Sequence, residues 1–261
     1  MDSFIPEKTE TEVRRYFENA VEKDILRRPK ENIAEIERRY APLGIFEIHR
    51  TKKIKVGTIS KLEKTIEEEN KFYVNLNNLE LHYVSSKRIF RKERSILSSD
   101  LIEKVIDLPT PCIKFLSDII NKGIVSHHEL NKKHFLFLNG NFDYILILRI
   151  RDLIEFSPST VFTIQRKVVN LEYRSKVNIP EFNDRRYDLK KFLVTKRIKS
   201  RKYKRDGIEY NVEKILETLE TIFDGNGEFK EKIYMPYDRC KYTDRNNRFR
   251  YKRLIMLKFN N

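Results

Sequence analysis

Ile33-Ala34-Glu35-Ile36-Glu37-Arg38-Arg39-Tyr40 is the stretch whose conformation decides the fold. As a helix it turns Ile33 and Ile36 inward and leaves both glutamates wet on the surface. As a strand it alternates, so Glu35, Glu37 and Arg39 share one face and Ala34 and Ile36 the other. The helix asks nothing of those glutamates. The strand sets two carboxylates side by side, offering a divalent ion two oxygen ligands, with an arginine near enough to hold a phosphate.

Around this stretch the pattern is mixed. Upstream, Val13, Tyr16, Phe17, Ala20 and Val21 fall on one face of an N-terminal helix over about residues 9–26, with Thr9 or Thr11 as its cap. Arg27-Arg28-Pro29-Lys30 ends it. Downstream, Pro42 and Gly44 predict a turn, Ile45–Val56 an extended segment, Ser60–Glu69 a charged helix or loop, and Phe72–Val84 further strand. Thr110-Pro111 predicts a helix start that carries Ile113, Leu116 and Ile120 to a stop at Gly123. His134–Leu138 and Phe142–Ile150 read as strands joined by the turn Asn139-Gly140-Asn141. Val161–Val177 and Phe192–Tyr203 continue the strand pattern. Val212–Phe223 is an amphipathic helix followed by the turn Asp224–Gly227, and Phe249–Phe259 is a last alternating strand. With no repeat and no linker, residues 1–261 form a single α+β domain, mostly antiparallel β with flanking helices.

Composition narrows the functional class. Hydrophobic residues make up 39% and charged residues 36% of 261, enough apolar content for a core. The apolar run Tyr144–Leu148 is far short of the roughly 20 residues of a membrane span, and the first residues have no signal-peptide pattern. Cys112 and Cys240 are isolated, which favours an intracellular, reducing location. The formal charge is +15, and it is lopsided. Residues 1–160 hold 28 basic and 25 acidic groups, whereas residues 161–261 hold 26 and 14. This strongly basic C-terminal part points to phosphates as the partner, with an anionic surface or an acidic protein as other takers.

Two runs concentrate the excess. Arg185–Arg205 has eleven Lys and Arg against Asp188, and Arg239–Lys258 has eight against Asp244. Tyr187, Tyr203, Tyr242, Phe249 and Tyr251 are interleaved with them. Cations supply phosphate contacts and rings offer stacking faces to unpaired bases. The candidate nucleic-acid contacts are Lys190, Lys191, Lys196, Lys202, Lys204, Arg205, Arg245, Arg248 and Arg250. A strand over Arg197-Ile198-Lys199-Ser200-Arg201 aligns three cations on one face, which repel one another unless they surround an anion. Solvated strand faces protected by charge are the plainer reading of the same residues. Lys196–Arg205 also reads as a nuclear address, which places a cellular eukaryotic protein in the nucleus.

An N-terminal helix, then ExE with a basic residue two further on, then RxKxR followed by an acidic extended stretch resembles the tunnel-type metal-dependent RNA triphosphatases of mRNA capping. That resemblance implies closure into a barrel, a tunnel with a basic interior, and hydrolysis of the γ-phosphate of an RNA 5′ end, making the chain a polynucleotide 5′-phosphatase. It implies Mn or Mg on Glu35 and Glu37, and phosphates held by Arg39, Arg197, Lys199 and Arg201, with Arg149 or Arg151 adding a cation from another wall. Glu209 takes the position that orients the attacking water, where the family usually has Asp. The family's second glutamate pair has no counterpart after Arg201. Residues of about 98–138 resemble a winged helix-turn-helix whose second helix enters the major groove. The other functional expectations are a non-catalytic nucleic-acid-binding subunit of a transcription or replication assembly, and an assembly protein whose basic face meets an acidic partner. The partners expected are an RNA 5′ end or other nucleic acid and further subunits of a nucleic-acid-processing complex, without a membrane.

Overall fold

The computed structural model describes residues 2–26, 28–56, 62–85, 95–140, 142–162, 167–198 and 203–260. Ile33–Tyr40 is strand. It belongs to β2, Glu31–Val56, one strand of 26 residues that runs through Pro42 and Gly44 without the expected turn. The carbonyl of Pro42 accepts from the Leu76 amide at 2.8 Å. In a strand a residue's nitrogen points the same way as its carbonyl, so the missing N–H faces a side where regular pairing has yet to begin. Gly44 is required for packing: a Cβ there would lie 2.7 Å from the Phe46 ring and 2.9 Å from Leu76.

The rest of the sheet follows from β2. Residues 43–56 of it pair with β3, Leu62–Asn75, where a charged helix or loop was expected. Cross-strand charge accounts for that difference, since Arg50 Nε donates to Glu68 at 2.6 Å. Beyond β3 lie β4, Leu81–Val84, and β5, Ile96–Ser99. On the other side of β2, residues 31–49 pair with β11, Asn226–Asp244, a second long strand of 19 residues. β1, Asp2–Phe4, joins β11 in parallel, and β9, Thr195–Arg197, joins β1. β10, Lys204–Arg205, pairs with Arg39 and Tyr40 of β2, and β12, Phe249–Leu254, pairs with residues 238–243 of β11. The strand path runs from β5 to β9 and the two ends do not pair. The fold is mixed α+β and rich in strands, but no closed barrel forms among the described residues.

Between β5 and β11 the chain builds a second layer. It comprises α2, Leu101–Val105; α3, Thr110–Lys122; β6, Ile124–Ser126; α4, His127–Gly140; α5, Phe142–Ile150; and the hairpin of β7, Ile154–Phe162, with β8, Lys167–Ser175. The three strands lie in the order β6-β8-β7. Helix, strand, two helices and a hairpin, with the first strand beside the last, follow the same order of elements as a winged helix. This order starts and ends later than the stretch of about 98–138 read from the sequence, and the helix that precedes the hairpin is α5, not α3. The hairpin expected over 134–150 is instead the two helices α4 and α5. Ile145 and Leu148, three residues apart, are both buried on one face of α5. A short, nearly all-apolar run supports either period, and packing chooses. α3 stops as expected, at Gly123 with φ of 75°.

Three apolar clusters hold the layers. The largest joins Phe46, Ile48, Phe72 and Val74 of the sheet to Leu116 and Ile119 of α3, to Leu148 of α5, and to Ile215, Leu219 and Ile222 of α7, Val212–Phe223. One continuous core therefore runs from the sheet into the winged helix. On the opposite sheet face, Leu43, Ile45, Tyr73 and Ile233 meet Phe4, Leu193 and Leu189 of α6, Leu189–Phe192. Of the strand expected over 192–203, Thr195–Arg197 is strand, Phe192 is the last residue of α6, and residues 199–202 lie outside the described residues. At the far end, α1, Glu10–Asn19, lays Val13 and Phe17 on Cys240, Tyr242 and Leu254. A reciprocal Thr9–Glu12 capping box fixes its start.

Candidate nucleic-acid interface

The far end of the sheet has one covered face and one open face. Alternation puts Ile36, Arg38, Cys240, Tyr242 and Arg250 on the side that α1 covers. Glu35, Glu37 and Arg39 of β2 point the other way, beside Tyr237, Arg239 and Lys241 of β11. Phe249, Tyr251 and Arg253 of β12 continue that row. Among the described residues no helix packs on it.

Diagonal pairs organise the open face. The Arg239 guanidinium lies 4.7 Å from the Tyr251 ring centre, Lys241 Nζ 4.8 Å from Phe249, and the Arg253 guanidinium 5.4 Å from Tyr237. Phe249 and Tyr251 nevertheless keep 61% and 48% of their surface exposed. Among the described residues no carboxylate pairs with Lys241 or Arg253. The β11–β12 turn adds Arg245 and Arg248, both exposed, with Asp244 spent on the turn's own amides from Asn246 and Arg248 at 2.8 Å. Among the described residues, Arg39, Lys204, Arg239, Lys241, Arg245, Arg248 and Arg253 thus share this region with four carboxylates, Glu35, Glu37, Asp206 and Asp244.

Glu37 sits at the centre of the charge network. Arg239 Nε donates to it at 2.8 Å, Lys204 Nζ at 2.7 Å and Arg39 at 3.3 Å. Partial burial works to raise its pKa, but hydrogen bonds from Lys204 and Arg239 and the charges of Arg239 and Arg39 outweigh it and hold the group at about 2. Arg39 is held in turn by Asp206, at 2.7 Å, which also accepts from the Tyr237 hydroxyl. Glu35 is the looser of the pair, exposed and 3.9 Å from Lys204.

The structure brings together only some of the residues singled out by sequence. Glu35, Glu37, Arg39 and Lys204 share the open face, with Arg245 and Arg248 at its tip. Glu209 does not join them; it accepts from Asn77 at the β3–β4 turn. Arg250 is on the covered side, paired with Glu31 and 4.2 Å from the Tyr242 ring. Arg149 and Arg151 belong to the winged helix, at and just past the end of α5, where Arg149 stacks on Phe156 and Arg151 donates to the Lys104 carbonyl. The strand expected over 142–150 is helix, with Arg149 in its last turn and Arg151 in the turn beyond it. Lys196 and Arg197 are exposed on edge strand β9, and Arg205 on β10. Lys190 pairs with Glu231, and Lys191 with Asp188 at 3.1 Å. Lys199, Arg201 and Lys202 lie outside the described residues. Sequence reasoning missed Tyr237, Arg239, Lys241 and Arg253 as site residues. The signal was there, in the two alternating triplets Tyr237-x-Arg239-x-Lys241 and Phe249-x-Tyr251-x-Arg253.

Glu47, His49 and Glu69 form a separate group, with ligand atoms near enough to hold a metal ion. The lysines there compete with such an ion: Lys71 and Lys230 hold Glu47 at 3.3 and 3.2 Å. His49 Nε2 also lies 3.2 Å from Glu47 and its Nδ1 3.8 Å from Glu69. On the winged helix, α5 turns Leu146 and Ile150 outward, 53% and 73% exposed, flanked by one acid, Asp143, and one cation, Arg149. A groove-reading helix needs polar donors there. Among the described residues no helix is long and apolar enough to cross a membrane. No protein-family model, curated protein or solved structure matches this chain.

Proposed function

We propose that this protein is a non-catalytic nucleic-acid-binding subunit of a transcription or replication assembly, and that the open far end of its sheet is the binding face. One observation carries the reading: cations of β2, β11 and β12 share one sheet face with the exposed rings Phe249 and Tyr251 of β12, and among the described residues no helix packs on that face, while the other face of the same strands is closed by α1. Phosphates pair with the free cations and release counterions, so affinity falls with salt. Titrating the full chain against labelled RNA and DNA at several salt concentrations tests this. A log K that stays flat against log salt, or binding to an acidic polypeptide alone, would overturn it.

Metal-dependent hydrolysis of an RNA 5′ triphosphate is the second reading. It is favoured by Glu35 and Glu37 sharing the open face with Arg39. It ranks second because Glu37 already holds three cations, and among the described residues no second carboxylate pair faces it. Mn-dependent phosphate release from triphosphate-ended RNA, lost in Glu35→Ala and Glu37→Ala, would move it to first place.

A further inference from the structure

Resting on the nucleic-acid reading, we infer that the open face takes an unpaired strand, with Phe249 and Tyr251 each stacking on a separate base. The rings stand two residues apart on β12, so their backbone positions are about 7 Å apart. Their centres are 5.6 Å apart and their planes cross at 67°. Neighbouring bases of a duplex strand lie about 3.4 Å apart with their faces against one another. Two crossed rings at this spacing fit bases that have left each other's stack, a state open only to an unpaired strand. Each ring also carries a cation, Arg239 on Tyr251 and Lys241 on Phe249; Arg239 is held by Glu37, whereas Lys241 has no carboxylate partner among the described residues and offers a phosphate contact beside Phe249.

The winged helix strengthens the choice of a single strand. Its α5 would be the duplex reader, and it shows Leu146 and Ile150 where a reader shows polar donors. Among the described side chains of that helix, Arg149 is the one cation available to a double strand. Shape and charge at the far end then decide what binds, and the rings there discriminate by access to base faces.

Fluorescence anisotropy of the full chain decides it, using an oligo(dT) of about twelve nucleotides and a duplex of similar length as probes. The oligo(dT) is expected to bind at least about tenfold tighter than the duplex. Phe249→Ala with Tyr251→Ala lowers oligo(dT) affinity by about tenfold or more while leaving duplex affinity and the salt slope unchanged. Phe249→Leu with Tyr251→Leu, which keeps apolar bulk, loses affinity too. Both rings are largely exposed, so melting temperatures stay close to the parent. Equal binding of the two probes, or ring variants that bind oligo(dT) like the parent, overturns the inference and leaves the nucleic-acid reading standing. If neither probe binds in a salt-dependent way, both fall together.

Discussion

The open face of β2, β11 and β12 and the outer face of α5 are both exposed, and they are chemically opposite. On the first, Arg239, Lys241 and Arg253 alternate with Tyr237, Phe249 and Tyr251. On the second, Leu146 and Ile150 stand in water beside a single cation. The element that looks most like a nucleic-acid reader by topology is thus the one least equipped for phosphate. The plain sheet end, which no motif of fold announces, carries the equipment. Topology tells where side chains stand, and their chemistry tells what they do.

The most severe way to break the comparison is to remove the support behind the open face. Phe17 is fully buried and Tyr242 donates to its carbonyl at 2.9 Å, so Phe17→Ala is expected to cost about 3–5 kcal/mol. Hydrogen exchange should show protection lost in α1, β12 and the first part of β2, with winged-helix amides retained. Uniform loss across the chain would mean that the two regions unfold as one. Next in size, replacing Lys241, Arg245, Arg248 and Arg253 together with Gln should weaken oligonucleotide binding by roughly a hundredfold and flatten the salt slope by about three.

Glu37 gives a finer test. Its folded pKa of about 2 lies below the ordinary value, so its contribution to stability is present above about pH 4.5 and is lost as pH falls toward 2. Denaturant midpoints measured from about pH 5 down to about pH 3 should therefore fall less in Glu37→Gln than in the parent. At neutral pH the same variant frees Arg239 and Lys204 for phosphate, and oligonucleotide affinity should rise by about two- to fivefold. The smallest effect belongs to Leu146→Ser with Ile150→Ser, expected to leave stability within about 0.5 kcal/mol and nucleic-acid affinity within about twofold. A tenfold loss there would move the binding site to the winged helix.

The caps made parts of this fold legible. Thr9 before α1, and Pro111 with Gly123 at the two ends of α3, each solve a local hydrogen-bonding problem that distant residues do not change. The strand alternative for Ile33–Tyr40 also set Glu35, Glu37 and Arg39 on one face. The reading of α5 failed for the opposite reason: Phe142–Ile150 is apolar on nearly every side, so either period can bury it. β2 hid its continuity behind Pro42 and Gly44, which local rules read as a turn and tertiary packing uses for a free nitrogen and a close approach. The site was half legible. Glu37 and Arg39 were visible as neighbours in sequence, but Arg239 and Lys241 reach them only through pairing across some two hundred residues.

Because β2 does not turn at Pro42, it works as a ruler. From Glu35 on the open face to Phe46 against the winged-helix side is eleven residues of unbroken strand, about 36 Å. The separation between the strand-gripping end and the helical end is set by residue count, in steps of about 3.3 Å. Lengthening β2 and β11 by two residues each would move the ends about 7 Å further apart and keep every side chain on its own face. Lengthening them by one would carry Glu35, Glu37 and Arg39 round to the side that α1 covers.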